Sequence, residues 1–178
     1  LVRRAGQDDA AHGRAFHRLT EVQMAPCWAA MLAFETPLDG GADVRRWSRG
    51  PITWAGCDSS KPQRPTGPQC WVVHASVDWS RQHLEADARE VAQLMLHEFA
   101  RAMGSKLPVP VHLQAHRWRH ALVQQPLGLP CLVDEESAAG ACGDWCTAPR
   151  VEAAFDSGRA LAHSLLPMVG LASPASIR

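Results

Sequence analysis

Apolar and polar positions along the chain predict extended runs in the first half and the best-defined helix just beyond its middle. "TEVQMAPCWAAMLAFETPL" is a long apolar segment, broken by Pro26 and closed by Pro37. Its length and its aromatic and sulfur content predict a largely buried strand, although a helix over Trp28–Phe34 fits the same letters. "ITWAGC" and "CWVVHASV" (Cys70–Val77) predict two further strands. A Gly- and Pro-punctuated loop or hairpin connection, "DGGADVRRWSRGP", and a loop, "DSSKPQRPTGPQ", flank and separate them. Strands joined without helices predict an antiparallel sheet rather than a βαβ alternation.

"AAHGRAFHRL" (Ala10–Leu19) predicts a short helix. In "DWSRQHLEADAREVAQLMLHEFARAMGSK" a helix follows from Asp87 and Glu90 at capping-box spacing. Val91, Met95, Phe99 and Met103 form its apolar face, widened by Ala92 and Leu94, and Gly104 ends it. "PVPVHLQAHRWRHALV" predicts a strand and "QQPLGLP" a loop. From Gly140 to Leu166 the letters predict a short strand, a Gly-Asp turn, a loop and a helix starting near Arg150, just after Pro149. Val151, Ala154, Phe155, Gly158, Leu161, Ala162 and Leu165 recur at three- and four-residue steps and predict its buried face. The expected fold class is α+β.

Composition narrows the function classes. The 178 residues, 46% hydrophobic and 20% charged, suit a packed core. A formal net charge of +0 lacks the basic footprint of a nucleic-acid binder. No apolar run reaches membrane-spanning length, and "LVRRAGQDDAAHGR" is not a signal peptide, so a cytoplasmic protein is expected. The chain opens on Leu1, which suggests a piece of a longer protein. Six cysteines without a C-x-x-C pair are read as reduced thiols, and Cys142 and Cys146 lack the spacing of common zinc fingers.

The candidate chemistry centres on the Gly-Asp unit. Asp144 offers a carboxylate for ligand hydroxyls, and six residues later a helix N-terminus at Arg150 offers N–H groups to negative charge. The pair suits the ribityl chain and pyrimidine edge of a flavin, and a unit used only for packing fits the same residues. In "HRWRH" alternation sets His116, Trp118 and His120 on one strand face, and Arg117 and Arg119 on the other. "LHEFAR" lacks the second His of a zinc-protease helix. Lys61 and Lys106 are the only lysines. Lys61, in a loop with Arg64, reads as a solvated side chain or as a contact for an anionic substrate.

"ACGDWC" with "RVEAAFDSGRALA" resembles the C-terminal flavin-binding segment of renalase-like FAD-dependent oxidoreductases, relatives of the flavin amine oxidases. "VQMAPCWAAMLAFETPL", "GPITWAGCDSSKPQRP", "CWVVHASVDWSRQHLE" and "HRWRH" resemble blocks of that family in the same order, across roughly residues 20–165. The resemblance implies FAD as cofactor, with Gly143 and Asp144 at the ribityl and phosphate region and Arg150, Val151 and Glu152 beside the isoalloxazine. It implies a substrate cavity near Trp118 with Arg64, and Lys61 near flavin N5. Ala153 stands where the family pattern has Gly, and Asp156 where an apolar residue is usual.

The implied architecture is an antiparallel-sheet substrate domain over residues 20–138. Residues 139–178 would be the C-terminal strand and helix of an incomplete Rossmann-like FAD domain, and residues 1–19 a residual segment or linker. No G-x-G-x-x-G occurs among the glycines, so the dinucleotide-binding half is expected to be absent. The implied activity is hydride transfer from a small molecule, an amine or a dihydropyridine such as an NAD(P)H isomer, with oxygen as final acceptor. This chain alone is expected to be inactive. The alternative is a non-enzymatic orphan domain that associates with other chains and does not bind FAD alone.

Overall fold

The computed structural model describes residues 14–38, 42–137, 139–168 and 170. The chain separates into two compact units, dividing at Met24/Ala25 and at Leu122/Val123. The sequence-based boundaries stand at 19/20 and 138/139.

The unit of residues 25–122 is built on a five-stranded sheet in the order β2-β3-β4-β1-β5. The strands are β1 (Gln23–Phe34), β2 (Val44–Arg46), β3 (Ile52–Cys57), β4 (Gln69–Ala75) and β5 (His112–Gln125). β2, β3, β4 and β1 pair antiparallel in turn. The Val111 N–H donates to the Ala33 carbonyl at 2.8 Å, which sets the start of β5 beside the end of β1. The apolar run of β1 is therefore a central strand, not a helix. β2 forms inside "DGGADVRRWSRGP" as the short outer arm of a hairpin with β3.

Two helices follow β4. In α2 (Val77–Gln82) Ser76 is the N-cap, its hydroxyl accepting from the Trp79 N–H. α3 (Ala88–Met103) starts where Asp87 accepts from the N–H groups of Arg89 and Glu90, and ends at Gly104, whose φ of 68° is left-handed. Val91, Ala92, Met95 and Phe99 of α3 are buried against Trp28, Leu32, Phe34, Ile52, Trp71 and Val73. Met103 packs at the margin of this core. Leu94 is 44% exposed and does not widen the face, because it sits about 100° around the helix from Met95.

The core satisfies its indole N–H groups. Those of Trp28, Trp47 and Trp71 donate to the His83 carbonyl, the Ala102 carbonyl and Gln69 Oε1, at 3.0, 3.1 and 2.9 Å. At one margin Arg117 lies 5.6 Å over the Trp28 ring and donates to the Leu84 carbonyl and to Glu85. Arg119 completes this corner with a two-point pair to Glu85 at 2.6 and 2.8 Å.

The other unit contains α1 (Arg14–His17), a 3₁₀ turn over Arg18–Glu21, β6 (Leu132–Asp134), β7 (Ala139–Ala141), a 3₁₀ turn over Asp144–Cys146 and α4 (Val151–Met168). The helix expected over Ala10–Leu19 is thus seen from Arg14; Ala10–Gly13 lie outside the described residues. β6 and β7 pair antiparallel, with Leu132 opposite Ala141. α4 turns Ala153 and Ser157 inward, at 2% and 1% exposure. Val151 and Phe155, assigned to the buried face from periodicity, are 83% and 66% exposed. The correction has a steric cause. Gly140 on β7 leaves room that Leu161 fills, which turns the Ala153–Ser157–Leu161 stripe, rather than the larger side chains, toward the strands.

Candidate functional site

In the sheet unit the side chains divide cleanly between two faces. Ile52, Ala55, Trp71, Val73, Ala115 and their neighbours face α3. Alternation, with a register shift between Ile52 and Trp54 on β3, sends the intervening residues to the opposite face. There Trp54 stands across from His74, Gly56 across from Val72, and Arg46 across from Trp54. On β1, Ala29, Met31 and Ala33 lie across from His74, Val72 and Cys70. On β5, where Leu113 and Ala115 face the core, His116 and Trp118 belong to this second face.

The second face has a small-residue floor and aromatic flanks. The Trp54 and His74 rings lie 4.8 Å apart at 37°. The Trp54 ring covers Gly56 so closely that a Cβ there would come 2.5 Å from it. Across the floor, His116 and Trp118 meet edge-on at 4.5 Å. Burial holds the His74 imidazole below its ordinary pKa, so it is neutral at neutral pH. No residue named on this face carries a carboxylate. Trp54 and the neutral His74 imidazole can stack on a flat ring, and the exposed Arg46 across from Trp54 can bind a negatively charged group beside it.

The same unit gives Lys61 and Arg64 a shared partner. The Lys61 Nζ lies 2.6 Å from Asp58 Oδ1, and the Arg64 Nε lies 3.1 Å from Oδ2. The Lys61 hydrogen bond, then the Arg64 charge, hold the Asp58 carboxyl below its usual range. These residues follow β3, while Trp118 is on β5, three strands and therefore about 14 Å across the sheet. The fold brings Lys61 to Arg64, and brings Trp118 to His116.

A separate open groove of about 530 Å³ runs between α3 and the Lys106–Leu113 segment. Leu96, Ala100, Leu107 and Pro108 line it, with His97 and Lys106 among its polar groups.

In the smaller unit Gly143 and Asp144 sit at a 3₁₀ turn, and Arg150, Val151 and Glu152 at the start of α4 a short loop later. Gly143 is glycine for a local reason: a Cβ would collide with the Trp145 indole. Its N–H donates to Ser157 Oγ at 3.2 Å, tying the turn to α4. The Asp144 carbonyl accepts from the N–H groups of Thr147 and Ala148 at 3.1 and 3.0 Å. The Asp144 side chain is half-buried, while Arg150, Val151 and Glu152 are exposed around the helix start. The Arg150 carbonyl accepts from the Ala153 and Ala154 N–H groups, so α4 begins as expected from sequence. Ala153 points into the unit rather than out from it, and Asp156 is exposed, so it burdens no buried face.

Among the described residues, no group of three or more His, Cys, Asp or Glu is placed to hold a metal ion. No helix among them is long and apolar enough to cross a membrane. A scan against protein-family models finds no match for this chain.

Sequence reasoning missed Trp54, Gly56 and His74. For His74 the signal was the period-two alternation of "CWVVHASV", whereas in "ITWAGC" a register shift between Ile52 and Trp54 puts these two on opposite faces and breaks the pattern. Only the strand order brings the two runs to one face.

Proposed function

We propose that this chain is the C-terminal part of an FAD-dependent oxidoreductase, similar to the renalase-like relatives of flavin amine oxidases. In this reading residues 139–178 belong to an incomplete Rossmann-like FAD domain, and the second sheet face receives the substrate. The observation that carries the cofactor assignment is the exposed start of α4, six residues beyond the half-buried Asp144. Its accessible N–H end and carboxylate fit a polyhydroxylated, negatively polarised ligand. Gly143 adds little to that fit, since Trp145 accounts for it.

When bound, the flavin supplies the hydride acceptor. Asp144 would accept hydrogen bonds from ribityl hydroxyls, and the N–H groups at Val151 and Glu152 would face negative charge. On the sheet, Trp54 would stack on the substrate ring while Arg46, directly across from it, holds an anionic substituent. The Trp54 indole and the Arg46 guanidinium of this face suit a planar, negatively substituted dihydropyridine better than a cationic amine. Lys61 takes part only if Asp58 releases it. In the complete protein, Asp144→Ala is expected to weaken FAD binding at least tenfold by flavin fluorescence. An unchanged dissociation constant overturns the assignment.

A second reading is an orphan association domain that does not bind FAD alone. Val151 and Phe155, exposed on one side of α4, favour it. Size-exclusion chromatography separates the readings. Concentration-dependent dimers that Phe155→Ser abolishes support association, and a monomer at every concentration removes it.

A further inference from the structure

We propose that Cys131 and Cys142 form an oxidisable dithiol, a modification site that a low-molecular-weight disulfide such as oxidised glutathione converts to a cross-strand disulfide. β6 and β7 pair Leu132 with Ala141, Val133 with Gly140 and Asp134 with Ala139. One step beyond the first pair, the opposed residues are Cys131 and Cys142. Opposed residues of an antiparallel pair have Cα atoms about 4.5–5.5 Å apart, inside the roughly 4.4–6.8 Å that a disulfide bridges.

Direction agrees with distance. Gly140 faces α4, where a Cβ would collide with Leu161. Cys142 lies two residues further along the strand and Cys131 two residues from Val133, the partner of Gly140, so both thiols project to that same side. A third thiol completes the group from below. Cys146 is fully buried, and its carbonyl accepts from the Gly128 and Leu129 N–H groups, which holds the chain just before Cys131 in place.

The three thiols divide the work by exposure. Burial pushes the Cys146 thiol up, against a smaller opposing hydrogen bond from Ser157, and both Cys131 and Cys142 add to the rise. Cys146 therefore stays protonated and inert. Cys142 is exposed and Cys131 half-buried; both are free thiols in this structure. Cys142 is the attacking group and Cys131 the resolving one.

The chemistry balances without a metal or flavin. The Cys142 thiolate attacks one sulfur of the small disulfide, forming a mixed disulfide and expelling one small thiolate. The Cys131 thiolate then attacks the Cys142 sulfur, forming the Cys131–Cys142 bond and expelling the second small thiolate. The protein loses two hydrogens and two electrons, and the small disulfide becomes two thiols, with the protons passed through water. The product staples the strand end that leads directly into Gly143 and Asp144.

The test exposes the folded full chain to oxidised glutathione, followed by alkylation of remaining thiols and peptide mapping. In the unaltered chain the peptides bearing Cys131 and Cys142 are expected to appear linked and two hydrogens lighter, with Cys27, Cys57 and Cys146 still alkylated, while the exposed Cys70 has no resolving thiol assigned to it and is scored separately. In Cys131→Ser, the resolving thiol is missing and glutathione is expected to remain on Cys142. Alkylation before oxidation is expected to be at least about tenfold faster at Cys142 than at Cys146. Glutathione persisting on Cys142 of the unaltered chain overturns the proposal. So does a Cys142–Cys146 link, or retention of all six thiols. The map of the unaltered chain decides the matter even if a variant folds poorly.

Discussion

The two units solve the same problem with different materials. The sheet unit seals its core with large side chains, among them Trp28, Phe34, Trp71, Met95 and Phe99, and it satisfies the indole donors that this brings inside. The smaller unit buries Leu127, Leu132, Cys146 and Ala153 together with the polar Asp134 and Ser157. Two of its apolar groups, Val151 and Phe155, stay in solvent. Apolar area removed from water stabilises in proportion, so the first unit is held by bulk and the second by close approach and a few hydrogen bonds.

The sharpest way to break this contrast is Phe99→Ala. It removes a ring that contacts Trp47 and Trp71 at 6.4 and 5.9 Å and should cost about 3–5 kcal/mol. Hydrogen exchange should show lost protection in β3, β4 and α3. A loss below about 1 kcal/mol would contradict a core held by bulk.

Gly140→Ala probes the other strategy. The new methyl collides with Leu161 and lies 2.9 Å from the Leu132 carbonyl, so a loss of about 1–3 kcal/mol is expected. Protection should fall in β6, β7 and α4. An unchanged denaturation midpoint would mean that Leu161 swings aside freely.

A pH series sharpens the account of the second sheet face. Burial depresses the His74 pKa in the fold, so the unfolded chain takes up its proton first as pH falls. The stability this residue contributes is complete above about pH 6.5 and is lost as pH drops toward the folded value. His74→Gln should flatten that slope below about pH 6.5, followed by urea titration at each pH. An identical slope in the variant would remove His74 from the account.

The smallest effect belongs to Phe155→Ser. At 66% exposure the ring contributes little burial, and stability should change by less than about 0.5 kcal/mol. A larger loss in thermal unfolding would show that the side chain is covered in solution.

These contrasts also explain what the sequence disclosed. α3 was legible because three local signals agree: the Asp87 cap, the four-residue apolar step from Val91 to Phe99, and Gly104 at a left-handed end. β1, β3, β4, β5 and the strand–turn–helix at the C-terminal end were legible from apolar runs bounded by turn residues, whereas β2 lay inside a segment read as a connection. The face of α4 was not, since its orientation is set by Leu161 fitting over Gly140, a contact between residues 21 positions apart (161 − 140). Strand order was equally hidden, because β1 pairs with β4 about 40 residues later and its rewards are non-local. The candidate site divides along the same line. His116 and Trp118 share a strand and could be grouped in advance, whereas Trp54 and His74 met only across a ladder.

Gly56 has one more consequence. The Trp54 indole lies down across it because the strand there has only a hydrogen to offer. A single methyl at residue 56 would tilt that ring upright, turning a smooth tile into a fence post on the sheet. The relief of the whole surface is thus set by an atom that no ligand would touch, and it can be re-sculpted without disturbing anything beneath α3.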